Sequence, residues 1–164
     1  LGTINASGTL ILGREALVKG EVEVASLEAL LSASSHAIDH APDHANTALG
    51  LDLARDFCMD WQAQHSEPID LQIFCYSEAV TLANRLIWLP ADLPNVAKEW
   101  QKLAIQFNLT IQVCVSTALA RGVVDAENAQ RHGLDGDNIA EGFALVGLGE
   151  LAMHLHHYQH VRQF

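Results

Sequence analysis

From residue 26 to the end of the chain, short apolar runs alternate with longer stretches of helical periodicity. Neighbouring strands separated by helices of ten or more residues pair in parallel through crossover connections. The alternation therefore implies βαβ units and a three-layer α/β sandwich with a mainly parallel sheet of about five strands. The first strand candidate is 27–33, followed by a loop over 34–43 in which Pro42 blocks an early helix. Residues 45–64 carry Leu49, Leu53, Ala54, Phe57 and Trp61 at helical spacing, and Pro68 closes the connection. A second strand follows at 69–76. A helix is expected over 77–89, with Val80, Ala83, Asn84 and Ile87 on one side. Pro90 and Pro94 bracket a loop before a helix over 95–107 that carries Val96, Trp100, Leu103 and Phe107. The third strand is 109–115. Two short helices come next, around 116–121 and 125–132, and then a turn at 133–137. Residues 139–157 read as largely helical, and 158–164 close as a last strand.

At 164 residues, with 49% apolar and 18% charged residues, the chain is long enough for one well-packed domain and unlike a disordered one. Residues 1–25 stand apart from the domain at 26–164. The segments 8–13 and 18–24 alternate apolar and polar residues between glycines, so the extension reads either as a β-hairpin or as disordered chain. Twenty acidic against nine basic residues give a formal charge of −11. Such a surface repels phosphate backbones, which argues against direct nucleic-acid binding and for a basic protein partner. No run approaches the ~18 apolar residues of a membrane span, and no basic-then-apolar leader opens the chain. Three cysteines, at 58, 75 and 114, with no C-x-x-C, suit a reducing cytoplasm rather than a disulfide framework.

Cys114 carries the most chemistry. It lies at the end of the strand at 109–115, one residue before Ser116-Thr117-Ala118-Leu119-Ala120-Arg121-Gly122. A thiol at a strand-to-helix junction can stand exposed at the carboxyl edge of a parallel sheet, where backbone N–H groups favour a thiolate. Arg121 lies one to two turns on and could add positive potential. The competing reading is a buried structural cysteine, as expected for Cys58 in a helix and Cys75 in a strand. Histidines form two groups: His36, His40 and His44 in the loop after the first strand, and His154, His156, His157 and His160 near the C-terminus. Neither group holds a cysteine or an H-E-x-x-H arrangement, so a solvated polar face outweighs a zinc site. His36 or His40, on the sheet edge that carries Cys114, could stabilise a thiolate. Gly147-Leu148-Gly149-Glu150-Leu151-Ala152 matches G-x-G-x-x-A, but the chain ends before the acidic ribose-binding residue such a fingerprint needs. Those glycines fit close packing at the start of a helix. Trp61, Trp88 and Trp100 read as core or interface anchors.

The segment from Val113-Cys114-Val115-Ser116 to Arg121-Gly122-Val123-Val124-Asp125 resembles the cysteine segment of the DsrE family of sulfur-relay proteins. Phe74-Cys75-Tyr76-Ser77-Glu78-Ala79-Val80, with Ala83-Asn84, resembles that family's second strand and turn. Glu141-Gly142-Phe143 with 147–152 resembles its last helix, and Val161-Arg162-Gln163-Phe164 its terminal strand. The resemblance implies a flavodoxin- or Rossmann-like α/β fold and a sulfurtransferase whose persulfide forms on Cys114. It further implies a cytoplasmic, heterohexamer-type complex with TusB- and TusC-like subunits, a TusA-like donor and a TusE-like acceptor. The implied product is 2-thiouridine at the tRNA wobble position, with no metal or organic cofactor. Alternatives are a related subunit of dissimilatory sulfur oxidation, a non-catalytic subunit of the same complex, and a histidine-rich metal-binding module.

Overall fold

A computed structural model describes residues 9–13, 44–158 and 160–164. The strand candidate at 27–33, the hairpin arm at 18–24 and the loop with His36 and His40 lie outside the described residues. The elements are β1 (Thr9–Gly13), α1 (His44–Gln64), β2 (Leu71–Cys75), a 3-10 helix (Ser77–Ala83) and α2 (Val96–Phe107). They continue as β3 (Ile111–Cys114), α3 (Val115–Ala120), α4 (Ala126–His132), β4 (Phe143–Val146), α5 (Leu148–His157) and β5 (His160–Gln163). The sheet runs β4-β3-β2-β1-β5. β2, β3 and β4 are parallel, while β1 is antiparallel to both β2 and β5. The α/β class is as expected, with parallel pairing confined to three strands. β1 belongs to the segment set apart as an extension.

Side-chain alternation along the parallel strands divides the interior in two. Leu71, Ile73 and Cys75 of β2 and Ile111 and Val113 of β3 face one layer. There they meet Leu51, Ala54 and Cys58 of α1 and Trp100, Leu103, Ala104 and Phe107 of α2. The α2 set falls at i, i+3, i+4 and i+7, the single stripe that an amphipathic helix buries, at ~1.5–3 kcal/mol for each large side chain. α2 is also well terminated. The Asn95 side chain accepts from Lys98 N at 3.1 Å, and Asn108 closes the helix in the left-handed region at φ 51. Phe74, Tyr76 and Cys114 face the opposite layer, with Leu151 of α5 and Val161 of β5. Both faces of the parallel strands are therefore covered, which is why they read as apolar runs.

Two expected helices are different in the structure. Residues 139–157 are not one helix. Gly142 turns the chain at φ 86, a conformation that L side chains rarely adopt, and Phe143–Val146 then pairs with β3 as β4. Helical spacing in that stretch loses to a four-residue apolar run lying beside a parallel edge. The helix expected over 77–89 forms only as the 3-10 turn Ser77–Ala83. Asn84 leaves it to bridge with Ile139. Arg85 then donates to the carbonyls of Asp137 at 2.6 Å and Ile139 at 3.1 Å. These tertiary bonds hold the next residues extended and leave Leu86, Trp88 and Leu93 exposed. Of the three tryptophans, Trp100 is core. Trp61 stacks on His65, with ring centroids 4.2 Å apart, and Trp88 faces solvent.

Candidate functional site

Cys114 is the last residue of the middle one of three parallel strands. In register, Val113 lies beside Cys75, and Cys114 beside Val146. Tyr76, still extended at φ −139 and ψ 177, continues past Cys75 and flanks Cys114 on its other side. Neighbouring strands lie about 5 Å apart, so the cysteine stands between Tyr76 and Val146 at the carboxyl edge. α3 begins at the next residue, and the Thr117 hydroxyl donates to the Cys114 carbonyl at 3.2 Å, fixing that turn. Substrates of open α/β sheets gather at this edge.

The thiol is not exposed there, as the sequence had suggested it could be. Cys114 is 2% exposed and shares an apolar cluster with Phe74, Tyr76, Leu151 and Val161. The cause is strand alternation: Cys114 points to the face that α5 covers. Cys58 and Cys75 are buried on the opposite face, as expected, and burial pushes the Cys58 thiol up to about 12. None of the three cysteines is joined in a disulfide.

Arg121 caps the end of α3, and its guanidinium reaches Glu78 of the 3-10 helix. Nε and Nη2 lie 2.8 and 2.5 Å from the same carboxylate oxygen. Its positive charge is matched by a carboxylate 43 residues away in sequence, a partner no local spacing could have revealed. The pair ties α3 to the turn after β2 and thereby fixes both sides of the Cys114 edge. Tyr76 is fixed as well. Gln163 of β5 donates to its hydroxyl, and burial pushes the phenol up to about 12 against the lowering effect of that hydrogen bond. Ser77, the next residue, holds φ 51, and its buried hydroxyl has no partner. Strained non-glycine residues of this kind concentrate at functional edges.

Three further polar atoms are buried without hydrogen-bond partners among the described residues: Trp100 Nε1 in the α2 core, Gln112 Oε1 and His154 Nε2. Gln112 shares the Cys114 face, two residues upstream on β3. His154 lies on α5 one turn beyond Leu151. Burial lowers its pKa from the ordinary 6.5, Glu150 opposes that effect, and His157 adds to it. Glu78, Gln112 and Leu151 escaped sequence reasoning, because strand register and helix docking bring them together rather than any motif. Among the described residues no three His, Cys, Asp or Glu side chains converge as a metal site. A cavity of about 230 Å³ lies between the 3-10 helix and the start of α2, lined by Leu82, Ile87, Leu89 and Val96, and does not include Cys114. No helix among the described residues is long and apolar enough to cross a membrane.

The chain is 43% identical over 93 residues to sulfurtransferase TusD of Proteus mirabilis, covering 57% of this chain and 72% of the relative. It is 40% identical over 93 residues to a sulfurtransferase TusD homolog of Aliivibrio fischeri, with the same coverage. A TusD homolog of Vibrio vulnificus is 43% identical over 82 residues, covering 50% of this chain and 63% of that protein. The profile of the DsrE/DsrF-like family spans residues 21–164, which takes in β2 to β5 and the whole Cys114 edge. By that match, which its α/β fold fits, the chain belongs to the DsrE/DsrF-like family.

Proposed function

We propose that the chain is a sulfurtransferase that relays sulfur as a persulfide on Cys114. One observation carries the residue assignment: Cys114 ends the central parallel strand, next to a helix start, in a chain 43% identical over 93 residues to a protein named sulfurtransferase TusD. In loading, the Cys114 thiolate attacks the outer sulfur of a donor persulfide. A new S–S bond forms at Sγ, the donor's S–S bond breaks, and the donor thiolate leaves with the electron pair and takes up the proton that Cys114 gave up. Unloading repeats the exchange, with an acceptor thiolate attacking the outer sulfur and Cys114 leaving as thiolate. No external oxidant or reductant enters. Arg121 and Glu78 brace the edge, and His36 and His40 remain candidates for steadying the thiolate.

The likeness to TusD proteins supports a cytoplasmic relay with TusB- and TusC-like subunits, a TusA-like donor and a TusE-like acceptor. It favours supply to 2-thiouridine at the tRNA wobble position over dissimilatory sulfur oxidation. An acidic chain of formal charge −11 suits protein partners, with RNA left to a later component. Incubation with a sulfur donor should add about 32 Da, one sulfur atom, to the peptide holding Cys114. Cys114→Ser should abolish both the adduct and transfer, and transfer that survives Cys114→Ser would overturn the assignment. The burial of Cys114 favours a second reading, a non-catalytic subunit that only assembles the complex. Absence of any adduct on intact protein, with complex assembly retained, would select it.

A further inference from the structure

A cysteine that exchanges sulfur between proteins must be reached by them, yet Cys114 is 2% exposed. Tyr76 and Val146 close it in sideways along the sheet edge, and Leu151 of α5 packs against it from the covered face. α5 is also thinly anchored for a helix of ten residues. Leu151 is its one buried side chain, whereas α2 buries Trp100, Leu103, Ala104 and Phe107. Leu148 and Met153 face solvent on the same helix. Elements with few buried apolar contacts open at the lowest free energy.

The seam beneath α5 adds a reason to open. Gln112 Oε1 on β3 and His154 Nε2 on α5 are both buried there without partners. Each bears the desolvation penalty of an unmade hydrogen bond, which water relieves once the helix lifts. The two ends of α5 differ. Gly147 and Gly149 flank its start, and a Cβ built on Gly149 would meet nothing within 4 Å, so the outer side of its first turn is open and Leu151 alone seats it. At its far end the Tyr158 hydroxyl donates to Asp70 at 2.9 Å, and β5 beyond is paired to β1.

We propose that α5 is a lid over Cys114, lifting from its Gly147 end about the Tyr158 anchor to admit a partner's sulfur and closing again over the loaded cysteine. The inference rests on the persulfide reading of Cys114 for its purpose. Its test is independent of that reading, because alkylation needs no sulfur donor. Iodoacetamide labelling of Cys114 in the intact protein, followed by peptide mass spectrometry across sub-denaturing urea, measures the opening. Labelling should be slower than in the unfolded chain by about tenfold or more, with a urea dependence far shallower than that of global unfolding.

Leu151→Ala should speed labelling by about tenfold or more, while Leu103→Ala in α2 should speed it only as far as it lowers global stability. Gln112→Leu removes an orphaned atom from the closed seam and should slow labelling, an outcome that loss of folding cannot imitate. Labelling at the rate of an unprotected thiol would overturn the lid. So would a urea dependence equal to that of global unfolding, or equal acceleration in the two alanine variants. Sulfur loading without these signatures sinks the lid alone; the signatures without loading sink the relay alone.

Discussion

Gly142 is where the backbone leaves least choice. It turns at φ 86 just before β4, and a Cβ there would lie 2.9 Å from the Cβ of Ala104, inside any real contact distance. Gly142→Ala combines a left-handed penalty with overpacking against α2, and should cost about 2–4 kcal/mol, read as a fall in Tm. The pair of Arg121 and Glu78 is a milder case. Both side chains are about a quarter exposed, at 24% and 26%. Arg121→Ala should therefore cost ~1–2 kcal/mol in a urea titration, well below a fully buried pair. It should leave a Cys114 adduct able to form if the guanidinium serves as a brace. At this scale the sequence was legible for Cys114 as the terminal residue of a strand, and for Cys58 and Cys75 as packing. It was silent on Glu78 because the pairing spans 43 residues and depends on two turns meeting at one sheet edge.

Among the elements, α2 was readable because one stripe, Trp100, Leu103 and Phe107, decides both its helicity and its docking. Its cap gives a simple check: Asn95→Ala removes the acceptor for Lys98 N and should cost about 1 kcal/mol of stability by denaturant midpoint. β4 was not readable. Phe143, Ala144, Leu145 and Val146 suit a helix as well as a strand, and only the empty edge of β3 decides. That miss concealed α5 as a separate element, and with it the burial of Cys114. Among the described residues, α5 carries the clearest pH dependence. The pKa of His154 in the folded protein lies below its ordinary 6.5 because burial penalises the charged ring. Glu150 pulls it back, and His157 beside it adds to the lowering. The unfolded chain thus binds the proton first as pH falls. The stability tied to neutral His154 is whole above 6.5 and is lost as pH drops through the folded value. Hydrogen exchange of the α5 amides should accelerate, relative to α2, between pH 7 and the folded value. His154→Leu should remove the difference, and persistence of the difference in that variant would assign it to another group.

For the molecule as a whole, the charge balance makes a claim separate from any site. Twenty acidic and nine basic residues leave −11 on a chain of 164 residues. The ion pairs of the described residues are few and mostly exposed. Arg55 with Asp52, Lys102 with Glu99 and Arg131 with Glu127 are local helix pairs, each contributing a few tenths of a kcal/mol. Diffuse repulsion among the surplus carboxylates therefore outweighs attraction at the surface, and the compact state feels it more than the expanded one. Salt screens such repulsion over a Debye length of about 30 Å at 0.01 M and about 8 Å at 0.15 M. Raising sodium chloride across that range at pH 7.5 should raise Tm by a few degrees, and the rise should level off rather than climb as it would with salting-out. A fall in Tm would mean that the ion pairs, Arg121 with Glu78 foremost, dominate the electrostatics of the fold. The same surplus sets the docking problem at the Cys114 edge. A relay partner approaching an acidic surface gains from carrying basic groups around its own cysteine, and salt that stabilises this chain alone should slow that encounter.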